Sequence, residues 1–246
     1  MTRFMPSRGV LADLAGAFTL LTRLPAGFAP ARGDATWAYP IVGAAVGAIG
    51  AAVFSTATTL TLPPAVAAIL AIAASVLATG ALHEDGLADT ADGFGGGATV
   101  ARKLEIMRDS RIGSFGALAL MLSLGLRVAA LAAMADAWRV GGALIAAGML
   151  GRGAMIGMML ALAPARPDGL AASLGRVPAG PAAIGLAIAG AAVLLPHGAR
   201  ALFAAVLAGA VMVWLARRQV GGYTGDVLGA AEQAVECAVL VAMLIR

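Results

Sequence analysis

From Ala35 to His83 the chain carries no Asp, Glu, Lys or Arg, a run of 49 residues, whereas about 20 apolar residues suffice for a helix to cross a bilayer. Such a run holds two membrane helices, with Pro63-Pro64 marking the turn between them. The remainder of the 246 residues agrees, because 61% are hydrophobic and 12% charged, against about 45–50% and about 25% in soluble domains. A water-soluble fold is excluded. Further apolar segments cover about 113–135, 141–163, 180–196, 200–216 and 228–245. The stretch from Met1 to about Leu24 lacks a small-residue cleavage site and reads as a retained amphipathic or short spanning helix. The expectation is an all-α, polytopic membrane bundle of about seven to eight helices, one domain over residues 1–246. Glycine, 33 residues, is about twice as frequent as usual, which suits close helix packing in lipid. The lone Cys237 permits no intramolecular disulfide and is expected to behave as a small buried hydrophobe.

Charge then orients the bundle. Seventeen Lys and Arg against thirteen Asp and Glu give +4, but these charges stand in short islands, so no nucleic-acid partner is expected. If the spans alternate, the segment 83–112 and the loops 164–178 and 217–226 share one side. They carry Arg102, Lys103, Arg108, Arg111, Arg166, Arg176, Arg217 and Arg218, whereas the opposite loops carry Arg139 and Arg200. The positive-inside rule assigns the richer side to the cytoplasm.

That side also holds the chemistry. Six of the thirteen acids (Glu84, Asp85, Asp89, Asp92, Glu105 and Asp109) fall within 26 residues. On a helix Asp85, Asp89 and Asp92 stand at i, i+4 and i+7, within an arc of about 60°. Three like charges on one face repel unless a cation joins them. With only oxygen donors on that face, Mg²⁺ or Mn²⁺ is favoured over zinc, and such an ion completes its shell with phosphate and water. Gly95-Gly96-Gly97 and the cations Arg102, Lys103, Arg108 and Arg111 follow at once, giving this cytoplasmic segment the composition of a diphosphate site.

Other residues fill in around it. Asp109 offers an extra ligand or a general base, or only a first-turn acid, and Ser110 an N-cap for the next span. The loop Gly221 to Asp226, with Thr224, offers phosphate or metal contacts, or a turn with a cap. Arg127 and Arg152 lie inside apolar spans, where a charge costs roughly 2.5–3.5 kcal/mol. They are the candidate partners of Glu232 and Glu236, one helical turn apart in the last span. Trp37 and Tyr39 suit an interfacial aromatic belt, and Pro40 a first helical turn.

The motifs HEDGLADTADG (83–93), KLEIMRDSRIGSFG (103–116), ARPDG (165–169) and GGYTGD (221–226), with LTRLP (21–25) and YPIVG (39–43), resemble the cobalamin synthase (adenosylcobinamide-GDP ribazoletransferase) family from about residue 18 to 236. The resemblance implies a Mg²⁺-dependent bacterial inner-membrane enzyme of late vitamin B12 assembly. Its implied reaction transfers adenosylcobinamide phosphate from adenosylcobinamide-GDP to α-ribazole or its 5′-phosphate and releases GMP. Mapped on this chain, Asp85, Asp89 and Asp92 hold the metal, Asp109 or Asp85 serves as base, and Glu84, Arg102, Lys103, Arg108 and Arg111 contact phosphate or substrate. Arg166, Thr224 and Asp226 are second-rank contacts. Beyond the two substrates the expected partners are membrane lipid and, with no stoichiometry implied, a second copy of the chain.

Two rivals remain. Asp89-Thr90-Ala91-Asp92-Gly93 also begins like the motif of the CDP-alcohol phosphotransferases, but the aspartates that end that motif are missing between Ser114 and Ser123. An ion-coupled transporter would use Arg127 and Arg152, yet no pair of broken segments recurs in matching halves.

Overall fold

The computed structural model describes residues 9–25, 32–174 and 177–245. Residues 1–8 of the N-terminal stretch and Arg176, both used above, lie outside the described residues. Within them the secondary structure is helical, with one isolated bridge from Pro164 to Tyr223. The elements are α1 (Val10–Leu21), a 3-10 turn (Gly33–Ala38) leading into α2 (Tyr39–Thr59), α3 (Pro64–Thr79), α4 (Leu82–Gly96), α5 (Val100–Ile106), α6 (Ser114–Met134) and α7 (Ala137–Ala161). There follow α8 (Leu170–Ser173), α9 (Ala179–Gly190) with a 3-10 extension (Ala191–Leu194), α10 (Gly198–Val220) and α11 (Gly225–Leu244).

Five stretches are long and apolar enough to span a membrane: Gly33–Thr59, α6, α7, α10 and α11. The other expected spans exist as helices but are shorter. α1 has 12 residues, α3 has 16, and α9 with its extension covers Ala179–Leu194. At 1.5 Å per residue α3 reaches about 24 Å, short of the hydrocarbon thickness of about 30 Å. It ends at Gly80 and Ala81, both left-handed, and the chain turns by 89° into α4. The charge-free run therefore contains one full span and a shorter helix, since α4 takes over where apolar sequence ends. α4, with its acids, lies outside the five spans.

The centre of the bundle is α7, packed against α2, α11 and α10. α2 and α7 cross at Gly43 and Gly148, where a Cβ on Gly43 would stand 2.0 Å from the Gly148 carbonyl oxygen. Glycine is required there by the close approach, the use of small residues expected in lipid. Pro40 occupies the first turn of α2, as expected. Tyr39 does not join an aromatic belt: it is 1% exposed, inside a core cluster with Leu21, Val42, Met155 and Met159. Trp37 Nε1 donates to Asp13 at 3.3 Å, tying α1 to the 3-10 turn. Cys237 is half-buried against Ser123.

The loops sort to two ends. His197, Asp136 and Arg139 line one cavity together with Ser55 and Met243. At the other end the loop after α7 pairs with the start of α11, where Tyr223 N–H donates to Ala163 O at 3.0 Å and Ala165 N–H to Tyr223 O at 2.8 Å. Arg108, after α5, reaches Asp168 at 2.6 Å. The three loops expected on one side do converge.

Candidate active site

Where they converge, a cavity of about 150 Å³ opens between α1, α2, α4, α7 and the first turn of α11. Polar groups at its walls come from four motifs: His83 and Asp85 from the first, Tyr39 from YPIVG, Arg166 and Asp168 from ARPDG, and Tyr223, Thr224 and Asp226 from the last. α4 and α11 bring them together. A Cβ on Gly86 would lie 2.7 Å from the Asp226 carbonyl oxygen, so the glycine after Asp85 lets the two acid-bearing turns touch. Thr224 caps α11, accepting from Val227 N–H at 3.2 Å, and donates to Asp226 Oδ2 at 3.1 Å. Arg166 donates to the same Asp226 oxygen at 3.2 Å, while its Nη1 is buried without a hydrogen-bond partner.

The expected carboxylate triad is partly divided. Asp85, Asp89 and Asp92 do share one helix, but Asp92 turns inward, accepting from Gly113 N–H at 2.7 Å and Gly116 N–H at 2.9 Å. It caps α6 from across the fold. Gly113, not Ser110, stands at the N-cap position with no side-chain cap of its own, so the Ser110 expectation fails because the helix starts at Ser114. Asp85 and Asp89 have no ion-pair or hydrogen-bond partner for their carboxylates among the described residues. Burial, then the charges of Asp85, Asp226 and Asp92, push the Asp89 carboxyl up to about 7. As placed, no three His, Cys, Asp or Glu side chains among the described residues already form a metal cage. The donors that face one another are nevertheless hard oxygens, which is the donor type Mg²⁺ takes.

The remaining candidates go elsewhere. Asp109 is gripped by Arg111 at 2.6 Å, and those hydrogen bonds hold its carboxyl down at about 2. It does not line the cavity, so the base role expected of it is not supported by its position. Arg102 pairs with Glu105 at 2.8 Å at the surface and Lys103 donates to Gln219. Arg108 binds Asp168 in a two-pronged exposed pair. None of these four cations lines the cavity.

Glu84, expected to contact substrate, is instead 7% exposed and accepts from Arg127 at 3.1 Å and Gln233 at 3.2 Å. It belongs to a network between α4, α6, α7 and α11. There Arg127 also donates to Glu236 at 3.3 Å, and Arg152 donates to Glu232 and, at 2.8 Å, to Glu236. The pairing of the intramembrane arginines with Glu232 and Glu236 is as the sequence implied. Asp168, Tyr223, His83 and Tyr39 are cavity residues that the sequence did not single out for the site. Asp168 and Tyr223 were visible inside their motifs, whereas Tyr39 was hidden by its resemblance to a belt residue.

The sequence profile of the cobalamin-5-phosphate synthase family matches residues 13–244. The chain belongs to that family. A relative from Bradyrhizobium diazoefficiens, named adenosylcobinamide-GDP ribazoletransferase, is 49% identical over 95% of this chain and 94% of its own. Relatives of the same name from Mesorhizobium japonicum and Azorhizobium caulinodans are 45% and 48% identical, over 95% and 96% of this chain and 93% and 96% of theirs. No solved structure matches. All six motifs lie within the matched span, so family membership covers the cavity, its mouth and the buried network alike.

Proposed function

We propose that this chain transfers adenosylcobinamide phosphate from adenosylcobinamide-GDP to α-ribazole or α-ribazole 5′-phosphate, with GMP as the leaving group, at the cytoplasmic face of a bacterial inner membrane. Family membership supports the reaction, and the lysines and arginines of the converging loops support the orientation. The observation that carries the reading is the pair of unpartnered carboxylates, Asp85 and Asp89, held beside Asp226 and the open nitrogen of Arg166.

Each of these groups has work in a diphosphate transfer. Asp85, Asp89 and Asp226 are the residues that would hold Mg²⁺, while Asp92 contributes by fixing α4 to α6. Bound there, the ion would neutralise charge on the diphosphate. Arg166, with one nitrogen unpaired and the other on Asp226, binds a phosphoryl oxygen. Asp85, exposed at the cavity mouth, accepts the proton of the acceptor hydroxyl as its oxygen bonds to the cobinamide-bearing phosphorus. The bond between the two phosphorus atoms' bridging oxygen and that phosphorus breaks, and GMP leaves with the electron pair.

The test is GMP release by detergent-purified protein given both substrates, with Mg²⁺ or with chelator. Metal-dependent GMP with a cobalamin product is expected. Undiminished GMP release in Asp85→Asn and Asp226→Asn would sink the assignment of these residues, and no GMP from folded protein would sink the reaction.

A further inference from the structure

The cavity has two unlike ends. Its mouth carries acids and Arg166, whereas its inner wall is formed by Leu21, Met155, Met159 and Leu228, with two polar side chains set among them, His83 and Tyr39. Both are 1% exposed, and neither His83 Nε2 nor the Tyr39 hydroxyl has a hydrogen-bond partner. Buried polar atoms without partners are rare, and two on one cavity wall ask for a ligand that supplies them.

The chemistry of that ligand follows from the tautomer. His83 Nδ1 lies 3.4 Å from Arg152 Nη2, and a guanidinium can only donate, so Nδ1 accepts and the ring proton sits on Nε2. Glu232 is 3.9 Å from Nδ1, too far to compete as an acceptor. The inner wall thus presents one imidazole N–H and one phenol O–H, both able to donate, on an apolar surface with two polarizable thioethers. A diphosphate would lose its water there without compensation. A flat aromatic base with an unprotonated ring nitrogen would not.

We infer that the inner end of this cavity is the subsite for the aromatic base of the nucleoside acceptor, with His83 and Tyr39 donating to its ring nitrogen and sugar oxygens. The inference rests on the transfer reaction proposed above. Seated this way, the base packs against Met155 and Met159 and the ribose extends to the mouth, where Asp85 stands. α4 then takes part both in specificity for the acceptor, through His83 with Tyr39 of α2, and in proton removal from it, through Asp85.

The experiment uses the full chain in detergent, with two readouts: equilibrium binding of α-ribazole alone by titration calorimetry, and KM for each substrate. Tyr39→Phe should weaken α-ribazole binding about tenfold, the loss of one hydrogen bond, and raise its KM alike, leaving the KM for adenosylcobinamide-GDP unchanged. His83→Gln, which keeps an N–H donor, should bind better than His83→Leu. Indole riboside, with a C–H where the base has its free nitrogen, should bind weakly to wild type, and one of the two variants, Tyr39→Phe or His83→Leu, should weaken it no further. Unchanged α-ribazole binding in Tyr39→Phe, or a rise in the donor's KM instead, would overturn the subsite. Wild-type protein that binds α-ribazole yet releases no GMP would overturn the transfer reaction and leave the subsite standing.

Discussion

Two charged assemblies sit side by side on α4 and α11, and they are built on opposite terms. In the inner one each carboxylate, Glu84, Glu232 and Glu236, touches a guanidinium, and Gln233 joins Glu84 to Glu232. In the outer one, on another face of α4, Asp85 and Asp89 stand without a paired cation or hydrogen-bond donor among the described residues. Charge deep in an apolar bundle must be settled within the chain, because no solvent or ion reaches it. Charge at the mouth can be left open for whatever arrives. An unpaired carboxylate is therefore informative at the mouth, and a paired one inside is structural.

The comparison can be broken first at its inner half. Arg152→Leu strips Glu232 of its cation and leaves Glu236 with Arg127 alone, and removal of one partner of a buried pair costs about 3–5 kcal/mol, so little folded protein should survive detergent extraction, as read by gel filtration. Adding Glu232→Gln to Arg152→Leu should recover part of it. At the outer half the expectation is reversed. Asp85→Asn should leave the thermal midpoint unchanged or higher, since a repulsive charge is removed, while GMP release falls about 10²- to 10⁴-fold, the range for losing a proton-transfer group. Gly86→Ala acts between the halves: its Cβ meets the Asp226 backbone, and such overpacking costs about 1–3 kcal/mol, seen as a lower midpoint together with slower turnover.

A smaller effect is expected from pH. Asp89 is raised from 3.8 to about 7, so metal-free protein loses stability as pH rises from the unfolded value through about 7, where the folded carboxyl gives up its proton. Mg²⁺ held by the proposed ligands would take the place of that proton. Its addition should raise the thermal midpoint more at about pH 8 than at about pH 6, by calorimetry, and equal gains at both would remove Asp89 from the metal set. Least affected should be Asp109→Asn, whose wild-type carboxylate is spent on Arg111; a steady-state assay should find turnover within about threefold, the scale of an exposed ion pair.

Much of this was legible in the residues. Hydropathy located the long helices, because spans are read by length alone, and it placed Arg127 and Arg152 opposite Glu232 and Glu236, because charges inside spans have few choices. The motifs marked which loops meet at the cavity. Other features were not readable, for reasons of geometry. Helical periodicity puts Asp92 with Asp85 and Asp89, yet it cannot show that α6 would begin beside it and claim both oxygens with the Gly113 and Gly116 amides. Glu84 is next to Asp85 in sequence but faces the other way round the helix, into Arg127. The 16-residue length of α3 was masked by an unbroken apolar run, since hydropathy does not register the left-handed turn at Gly80 and Ala81.

That short helix has a consequence for the lipid around it. A helix of about 24 Å beside neighbours of full length presents an apolar belt thinner than a bilayer of about 30 Å, and the acyl chains next to α3 must shorten or tilt to meet it. Such a mismatch would make the membrane surface dip at the foot of α4, to a depth that depends on acyl length. Bilayer thickness would then act on the proposed site itself, by setting how far the Asp85 carboxylate stands above or below the headgroups.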